Sequence, residues 1–355
     1  MKIDIVHPGY LPLQPAYFTR YGLGGNETAM LLASRCLAEL GHQVRIYADC
    51  EPDHDYGVDW RPLADLNPGE YRDVIMFWVR TKGHDPSRFN APIRIAKLGL
   101  KTPNETLLGQ VQTGAINLLI AFSDFQRQLY CQQFGFPGTA NWLVTADGLD
   151  IRHYDTRREK TPGKYLHAAN PKRGLCVLLD MWPAIREQQP DAELYVASSH
   201  LLRGFTAERD QALAGDLYTR ARAMAPLGVR FLGRIPKPQL IEHQLTAEIY
   251  LYPTTYPETC CIAALEASAA GAVIVTSPSG ALPDRVIHNQ SGLLIPGDPA
   301  TPAVRDAFVR HIGELAADAQ RRQRMSRAAH ELAREHDYHL SVLPAWLDAF
   351  EQLAA

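Results

Sequence analysis

The chain has 355 residues, with 36 Lys plus Arg against 39 Asp plus Glu, and a formal net charge of −3. Hydrophobic residues make up 46% of the sequence and charged residues 21%. These values exclude disordered and fibrous proteins, and the lack of a basic excess argues against a nucleic-acid partner. At about 150 residues per domain, two domains are expected.

The first half alternates short β-branched runs with longer helical patterns, which is typical of parallel sheets covered by helices. Strands are predicted at 2–7, 43–48, 73–79, 93–98 and 141–146. Helices are predicted at 27–40 and from a Ser123 cap to residue 133, where Gly135 ends the pattern. The opening residues favour a first strand over a leader peptide, and the apolar runs are too short for a membrane helix.

A polar, charge-rich stretch at 150–163 is interpreted as an interdomain linker, after which the alternation resumes. Strands are predicted at 164–168, 192–197, 229–232, 249–252 and 273–276. Helices are predicted at 174–188, 207–225, 237–244 and 259–270, with a helical tail from 303. Because open α/β sheets bind ligands outside the carboxyl ends of their strands, we expect an interdomain site.

The cysteines indicate neither a disulfide framework nor a zinc motif. None forms a C-x-x-C pair or shares a zinc-ligand spacing, so a structural zinc site is not expected. Scattered cysteines in a chain this long are typical of reduced thiols in a cytoplasmic protein. They are Cys36, Cys50, Cys131, Cys176, Cys260 and Cys261.

Two glutamates, Glu258 and Glu266, flank the predicted start of the 259–270 helix. Amides at a helix start favour anions, and eight residues of helix would separate the carboxylates by about 12 Å. That arrangement suits a nucleotide sugar, with hexose and ribose hydroxyls on the glutamates and phosphate on the amides. The alternative is that Glu258 helps to cap the helix and Glu266 is solvated.

This E-x7-E motif and its surroundings closely resemble family 4 of the retaining glycosyltransferases, also described as glycosyl transferases group 1. The resemblance extends over Ala270-Gly271, the strand Val273–Thr276, and the segments Gly280–Val286 and Ser291–Ile295. It implies an α/β architecture of the GT-B fold, with two Rossmann-like domains whose parallel sheets face an interdomain cleft. The expected domains are an acceptor domain at 1–155, a donor domain at 156–337, and a C-terminal helix at 338–355 that crosses back to the first domain.

The resemblance also implies roles for the motif residues. Glu258 would contact the hydroxyls of the donor sugar, and Glu266 the ribose. Arg173, which precedes Gly174, would neutralise the diphosphate; the alternative is a solvated turn residue. Relatives often carry a second arginine where this chain has Ala168. Which of Arg173, Lys172 and Arg234 would neutralise the diphosphate therefore stays open. The backbone amides that would meet the sugar and diphosphate belong to Thr259, Cys260, Cys261 and Ile262.

In the first half, Gly24 and Gly25 match a glycine loop that faces the donor phosphates in relatives; the alternative is a flexible connector. Tyr17, Tyr21 and Trp78 are the aromatic candidates for stacking against the acceptor sugar. Alternatively, the two tyrosines pack against the glycine loop. The histidine that many relatives have near Trp78 is missing. Its candidate replacements are His7, His84 and His167.

The expected activity is transfer of a hexose, with retention, from a nucleoside diphosphate sugar to a hydroxyl of a glycan, a lipid-linked sugar or a small molecule. Polysaccharide biosynthesis is the expected setting, and the cytoplasm the location, with peripheral membrane contact as an option. Alternatives are a GT-B sugar-nucleotide epimerase, a phosphorylase, or an idle nucleotide-sugar-binding subunit. No cofactor or metal is expected, because Asp53 and Asp55, the D-x-D of this chain, fall in an acidic loop. The oligomeric state is left open.

Overall fold

The computed structural model describes residues 1–9, 12–81, 83–99, 101–156 and 158–354. It divides into two compact units, the first comprising 1–17, 25–150 and 336–355, and the second 18–24 and 151–335. The units therefore change at 150/151 and 335/336, where the sequence suggested 155/156 and 337/338. Residues 18–24, expected in the first domain, group with the second unit. In the described ranges no helix combines the length and apolar character needed to cross a bilayer.

The first unit contains an eight-stranded sheet in the order β3-β4-β2-β1-β5-β6-β7-β8. Its strands are parallel except β3, which pairs antiparallel with β4 at the edge. The D-x-D segment is thus this edge strand rather than a loop, and Arg35 binds Asp55 at 2.7 Å. The strands are β1 (Lys2–Val6), β2 (Gln43–Ala48), β3 (Asp53–Asp55), β4 (Val58–Pro62), β5 (Val74–Val79), β6 (Ile93–Leu98), β7 (Leu118–Ala121) and β8 (Trp142–Val144).

Among the described residues, three helices of the first half and one from the C-terminus belong to the first unit, whereas the short helix α1 (Tyr17–Arg20) lies mostly in the 18–24 segment of the second unit. The predicted Ser123 cap is confirmed: its side chain accepts a hydrogen bond from the Gln126 amide, and Gly135 ends the helix in the left-handed conformation. The helices are α1 (Tyr17–Arg20), α2 (Gly25–Glu39), α3 (Leu107–Gln112), α4 (Asp124–Phe134) and α11 (Leu343–Ala354).

The C-terminal segment begins with a π-helical turn, Tyr338–Val342, before α11. In α11, Leu343, Trp346 and Phe350 are fully buried, and the Trp346 indole donates to Thr145 at 2.9 Å. In the sequence, Leu340, Leu343, Leu347, Phe350 and Ala354 recur at spacings of three and four, which predicts one apolar stripe, but Leu340 is 59% exposed. The π turn changes the angular spacing, so Leu340 leaves the stripe.

The second unit contains a six-stranded parallel sheet in the order β11-β10-β9-β12-β13-β14. Counted from its first strand this is 3-2-1-4-5-6, the dinucleotide-binding order, whose ligand crevice lies where the order reverses. That point lies between β9 and β12. The strands are β9 (Thr161–Ala168), β10 (Glu193–Ala197), β11 (Val229–Phe231), β12 (Ala247–Tyr252), β13 (Val273–Thr276) and β14 (Gly292–Leu294).

Helices of the second unit pack on this sheet over a core that includes Trp182, Ile249 and Phe308. Part of the linker predicted at 150–163 belongs to the folded second unit, because β9 already starts at Thr161 and Tyr154 is buried. The helices are α5 (Leu175–Gln188), α6 (Ala207–Ala223), α7 (Lys237–Thr246), α8 (Ile262–Ala269), α9 (Pro302–Ala317) and α10 (Ala319–Arg334).

Candidate functional site

The site lies at the carboxyl ends of β9 and β12, the adjacent strands at which the second sheet reverses its order. The loop after β9 carries Arg173, and the loop after β12 carries Glu258. Nη1 of Arg173 lies 2.9 Å from Oε1 and 3.1 Å from Oε2 of Glu258. The structure therefore brings together Arg173 and Glu258, two of the residues that the sequence predicts for the donor site.

Two tyrosines hold this ion pair. The hydroxyl of Tyr252 donates to Oε1 of Glu258, and the guanidinium of Arg173 stacks 3.8 Å from the ring centre of Tyr256. Burial opposes the charge of Arg173, but the attraction of Glu258 prevails and raises the pKa of Arg173 above its usual value. The Glu258 side chain is 5% exposed and that of Arg173 is 29% exposed, so solvent reaches the pair mainly at the guanidinium.

Two glycines let the backbone come close enough to shape this site. Gly174 has φ +92°, and a Cβ there would lie 2.3 Å from the carbonyl oxygen of Pro253. Gly280 has φ +61°, and a Cβ there would lie 2.2 Å from the carbonyl oxygen of Glu258. Only glycine adopts these conformations readily and leaves that space. The loops that carry Arg173 and Glu258 are thus fixed by neighbouring backbone.

The helix after Glu258 starts later than predicted. Thr259, Cys260 and Cys261 lie before α8, and of the four proposed amide donors Ile262 alone is in the helix. The break occurs at Cys261, whose φ is +64°, a rare value for a non-glycine residue. The 12 Å helical separation between the glutamates therefore does not apply. The backbone of Thr259, Cys260 and Cys261 instead bends ahead of the helix.

Glu266 lies on α8 and is buried, not solvated. Its Oε1 forms an ion pair with the ammonium of Lys237, and its Oε2 accepts a hydrogen bond from Nε2 of Gln244 at 3.0 Å. Lys237 is itself 5% exposed, so its ammonium and the Glu266 carboxylate form a buried ion pair. Neither Lys237 nor Gln244 was predicted as a site residue, because both lie on α7 and belong to no motif.

The other two basic candidates differ in their surroundings. Lys172 is exposed, and its backbone amide donates to the Asn170 side chain in the turn before Gly174. Arg234 donates to the carbonyl oxygen of Gly22 from Nη2 at 2.9 Å and lies 5.9 Å from the ring centre of Tyr21. Arg234 therefore holds the 18–24 segment within the second unit. Gly24 ends this segment, and Gly25 opens α2 in the first unit.

The aromatic acceptor candidates separate into surface and core residues. Tyr21 is 53% exposed and Tyr17 is half-buried at the start of α1. Trp78 is fully buried: its indole donates to the carbonyl of Asn26 at 3.1 Å, and its ring packs against Trp346. The suggestion that Trp78 stacks on an acceptor is therefore corrected to a packing role.

Of the three candidate replacement histidines, His7 and His167 are buried and His84 is half-buried. His167 is fully buried, with Nδ1 2.9 Å from the carbonyl oxygen of Leu251, and burial lowers its pKa to about 4. His7 is 4% exposed, and burial lowers its pKa to about 4 as well. His84 is half-buried against the ring of Phe77. His7 and His167 are thus neutral at physiological pH.

Comparison with known proteins shows the family to which the chain belongs. Residues 163–318 match the family described as Glycosyl transferases group 1. A phosphatidyl-myo-inositol mannosyltransferase of Mycolicibacterium smegmatis is 30% identical over an aligned length of 367, gaps included, and the match covers 91% of this chain and 88% of that relative. The chain belongs to the group 1 glycosyltransferases.

Other relatives of this group 1 glycosyltransferase match over a shorter part. A glycogen synthase of Mycobacterium tuberculosis is 30% identical over 215 residues, 59% of this chain and 48% of that protein. The chain thus spans about half the length of this relative. The solved sucrose-phosphate synthase of Thermosynechococcus elongatus is 15% identical, with a TM-score of 0.68 over 100% of this chain and 98% of that one. This likeness shows the GT-B fold, with its two Rossmann-like units.

Proposed function

We propose that this glycosyltransferase moves a hexose from a nucleoside diphosphate sugar to an acceptor hydroxyl, with retention of the anomeric configuration. The observation that carries the proposal is the Arg173–Glu258 pair at the point where the second sheet reverses its strand order. This is the position at which open α/β sheets bind phosphorylated ligands. A guanidinium and a carboxylate there suit the two ends of a sugar diphosphate.

In the proposed reaction, Arg173 stabilises the leaving diphosphate. Among the described residues, Arg173 donates to Glu258 from Nη1 alone, so Nε and Nη2 supply further N–H groups for phosphate oxygens. The amides from Thr259 to Ile262 add partial positive charge ahead of α8. Preorganised donors of this kind stabilise the negative charge that develops as the glycosidic bond breaks.

Glu258 is proposed to bind hydroxyls of the donor sugar, and Glu266 those of the ribose. The bonds from Tyr252 and Arg173 fix the Glu258 carboxylate before any ligand arrives. They also reduce its strength as a nucleophile, since an ion pair stabilises the unreacted carboxylate. We therefore favour a same-face reaction, in which the leaving phosphate takes the acceptor proton, over a covalent glycosyl-enzyme.

The acceptor is proposed to carry a sugar-like or inositol hydroxyl. The name of one relative includes phosphatidyl-myo-inositol. The proposal therefore includes a lipid-borne acceptor and, with it, peripheral contact with a membrane. Exposed Tyr21 offers an aromatic face on which a ring could stack. Glycans and small molecules are the other acceptor classes to be compared.

The experiment first screens UDP, GDP, ADP and their hexose conjugates by thermal shift, since a ligand of the folded state raises the melting temperature. The stabilising donor is then incubated with myo-inositol, phosphatidylinositol vesicles and oligosaccharides, and NMR reports the anomeric configuration of the product. An α-linked product from an α-linked donor is expected. An inverted product refutes retention, and conversion of the donor to its epimer supports an epimerase.

The control for the screen is Glu314→Gln, which changes an exposed carboxylate on α9 and should behave as the wild type. Binding of a donor without hydrolysis or transfer would indicate an idle sugar-nucleotide-binding subunit. Release of a sugar phosphate that depends on inorganic phosphate would indicate a phosphorylase. Stabilisation by none of the nucleotides would overturn the proposal.

A further inference from the structure

Three side chains with lone-pair donors converge beside α2 in the first unit. The sulfur of Cys36, a carboxylate oxygen of Glu39 and an imidazole nitrogen of His339 all lie within 4.8 Å of one another. Cys36 and Glu39 are three residues apart on α2, a spacing that puts both on the same face of the helix. His339 comes from the π-helical turn near the C-terminus. The cluster is therefore made by the fold.

The turn that carries His339 is held in place by contacts of its own. The carboxylate of Asp337 accepts hydrogen bonds from the amides of His339 and Leu340, each at 2.9 Å. Next to them, the hydroxyl of Tyr338 donates to the carbonyl of Ala29 on α2 at 3.0 Å, and its amide donates to the carbonyl of Leu149 at 2.9 Å. His339 is thus positioned against α2 before any ligand binds.

The electrostatics of the cluster favour a cation. Nε2 of His339 lies 3.0 Å from Oε2 of Glu39, yet within the described part of the chain this nitrogen makes no hydrogen bond of acceptable geometry. A positive ion shared by this nitrogen, the carboxylate and the nearby sulfur would be bound by all three groups.

We propose that Cys36, Glu39 and His339 bind a zinc ion. Thiolate, imidazole and carboxylate are the three ligand types that zinc takes in proteins, and a thiolate disfavours magnesium and calcium. The Cys36 side chain is buried, whereas those of His339 and Glu39 are 24% and 38% exposed. This open side gives the ion an entry path and leaves room for water as a fourth ligand. The ion would clamp the C-terminal turn to α2.

The test uses the full chain without a polyhistidine tag, stripped with a chelator and titrated with zinc against a coloured competitor. We expect one bound equivalent and a higher melting temperature with zinc. Cys36→Ser, Glu39→Gln and His339→Asn should each weaken zinc binding at least about tenfold, the low end of what a lost supporting group costs a metal site. The matched control is Cys50→Ser, which removes a thiol outside the cluster and should bind zinc as the wild type does.

Cobalt substitution of the wild type tests the sulfur ligand without a mutation. We expect a thiolate-to-cobalt charge-transfer band that is absent from His339→Asn or reduced in it. This spectrum keeps the proposal testable if Cys36→Ser does not fold. The proposal is overturned if the wild type binds no zinc in competition, if the variants bind it as tightly as the wild type, or if the cobalt spectrum shows no sulfur ligand. The Glu39–His339 contact would then be a plain ion pair.

Discussion

Arg173 donates from one nitrogen to both carboxylate oxygens of Glu258, at 2.9 and 3.1 Å. The pair joins the loops that follow two adjacent strands, so each residue fixes the other at the reversal point of the sheet. In the proposed reaction this contact has two consequences. The carboxylate faces the sugar in a set orientation, and the remaining guanidinium donors face the diphosphate.

Glu258→Gln is expected to lower kcat by about 100- to 1,000-fold, or roughly 2.7 to 4 kcal/mol, as the loss of one preorganised polar contact does elsewhere. The amide oxygen can still accept from Tyr252 and Arg173, so the fold should survive. Steady-state kinetics with the donor found by thermal shift, and circular dichroism for folding, are the measurements. Glu314→Gln should keep the wild-type rate. A folded Glu258→Gln enzyme with unchanged kcat would contradict the sugar-binding role.

Arg173→Ala is expected to weaken binding of the nucleoside diphosphate by about 10- to 100-fold, because a hydrogen bond to a charged group contributes about 1.5 to 3 kcal/mol. Binding of the nucleoside alone should change little. Calorimetry with both ligands measures this difference. Lys172→Ala is the matched control, since Lys172 is exposed beside Arg173, and it should have a small effect. Equal losses for both ligands in Arg173→Ala would rule out the phosphate role.

Lys237→Met should destabilise the second unit by about 3 to 5 kcal/mol, because it leaves the buried Glu266 carboxylate without its cation. The double variant Lys237→Met/Glu266→Gln should recover part of this loss, since the uncompensated charge is gone. Urea unfolding of the four proteins in this cycle gives the coupling energy. Lys237→Met and the double variant should both bind the nucleotide more weakly than the wild type if Glu266 contacts the ribose. Strictly additive free energies of unfolding would show that the ion pair does not couple the two residues.

The alternation of strands and helices was predictable because long apolar runs bounded by glycine or polar residues leave few other solutions. The segments β3, β4, β7 and β14, of three to five residues each, were not predicted, although the equally short β8 and β11 were. Periodicity over so few residues does not decide whether a run forms a strand. The late start of α8 was missed for a different reason. The positive φ of Cys261 is imposed by its surroundings, and no residue type in that loop predicts it.

The site was predictable as far as motifs reach. Glu258 and Glu266 form the E-x7-E motif and Arg173 precedes Gly174, whereas Tyr252 and Lys237 act through contacts that only the folded chain makes. Trp78, by contrast, was predicted as a site residue and is a core residue. A tryptophan at the end of a strand resembled a ligand platform, but its position beside Trp346 depends on where the C-terminal helix packs.

His167 should make the protein less stable as the pH falls from about 6.5 to 4. Burial lowers its pKa to about 4 in the folded chain, so over this window the unfolded chain binds a proton that the folded chain excludes. Between pH 7 and 5 this costs at most about 2 kcal/mol. His167→Asn, whose amide can still donate to the Leu251 carbonyl, should lose less stability over this range in urea unfolding. His54→Asn, at an exposed histidine, is the control, and an identical pH dependence of His167→Asn and the wild type would contradict the prediction.

The transfer reaction is expected to need no divalent cation. Arg173 and the amides ahead of α8 already place positive charge where the diphosphate would lie. Asp53 and Asp55, the residues of the D-x-D, lie on an edge strand of the first unit, and Asp55 is engaged by Arg35. Donor turnover in excess EDTA, compared with turnover in added Mg²⁺ or Mn²⁺, measures the requirement, and equal rates are expected.

The zinc site proposed beside α2 requires a control in this measurement, because EDTA would also remove that ion. In the wild type, EDTA should lower the melting temperature while leaving turnover intact at temperatures well below it. In His339→Asn, which lacks a zinc ligand, EDTA should change neither quantity. If EDTA abolishes the activity of His339→Asn and Mg²⁺ or Mn²⁺ restores it, the leaving group depends on a metal. Asp53 and Asp55 would then again be candidate ligands, and the charge assigned to Arg173 would be insufficient.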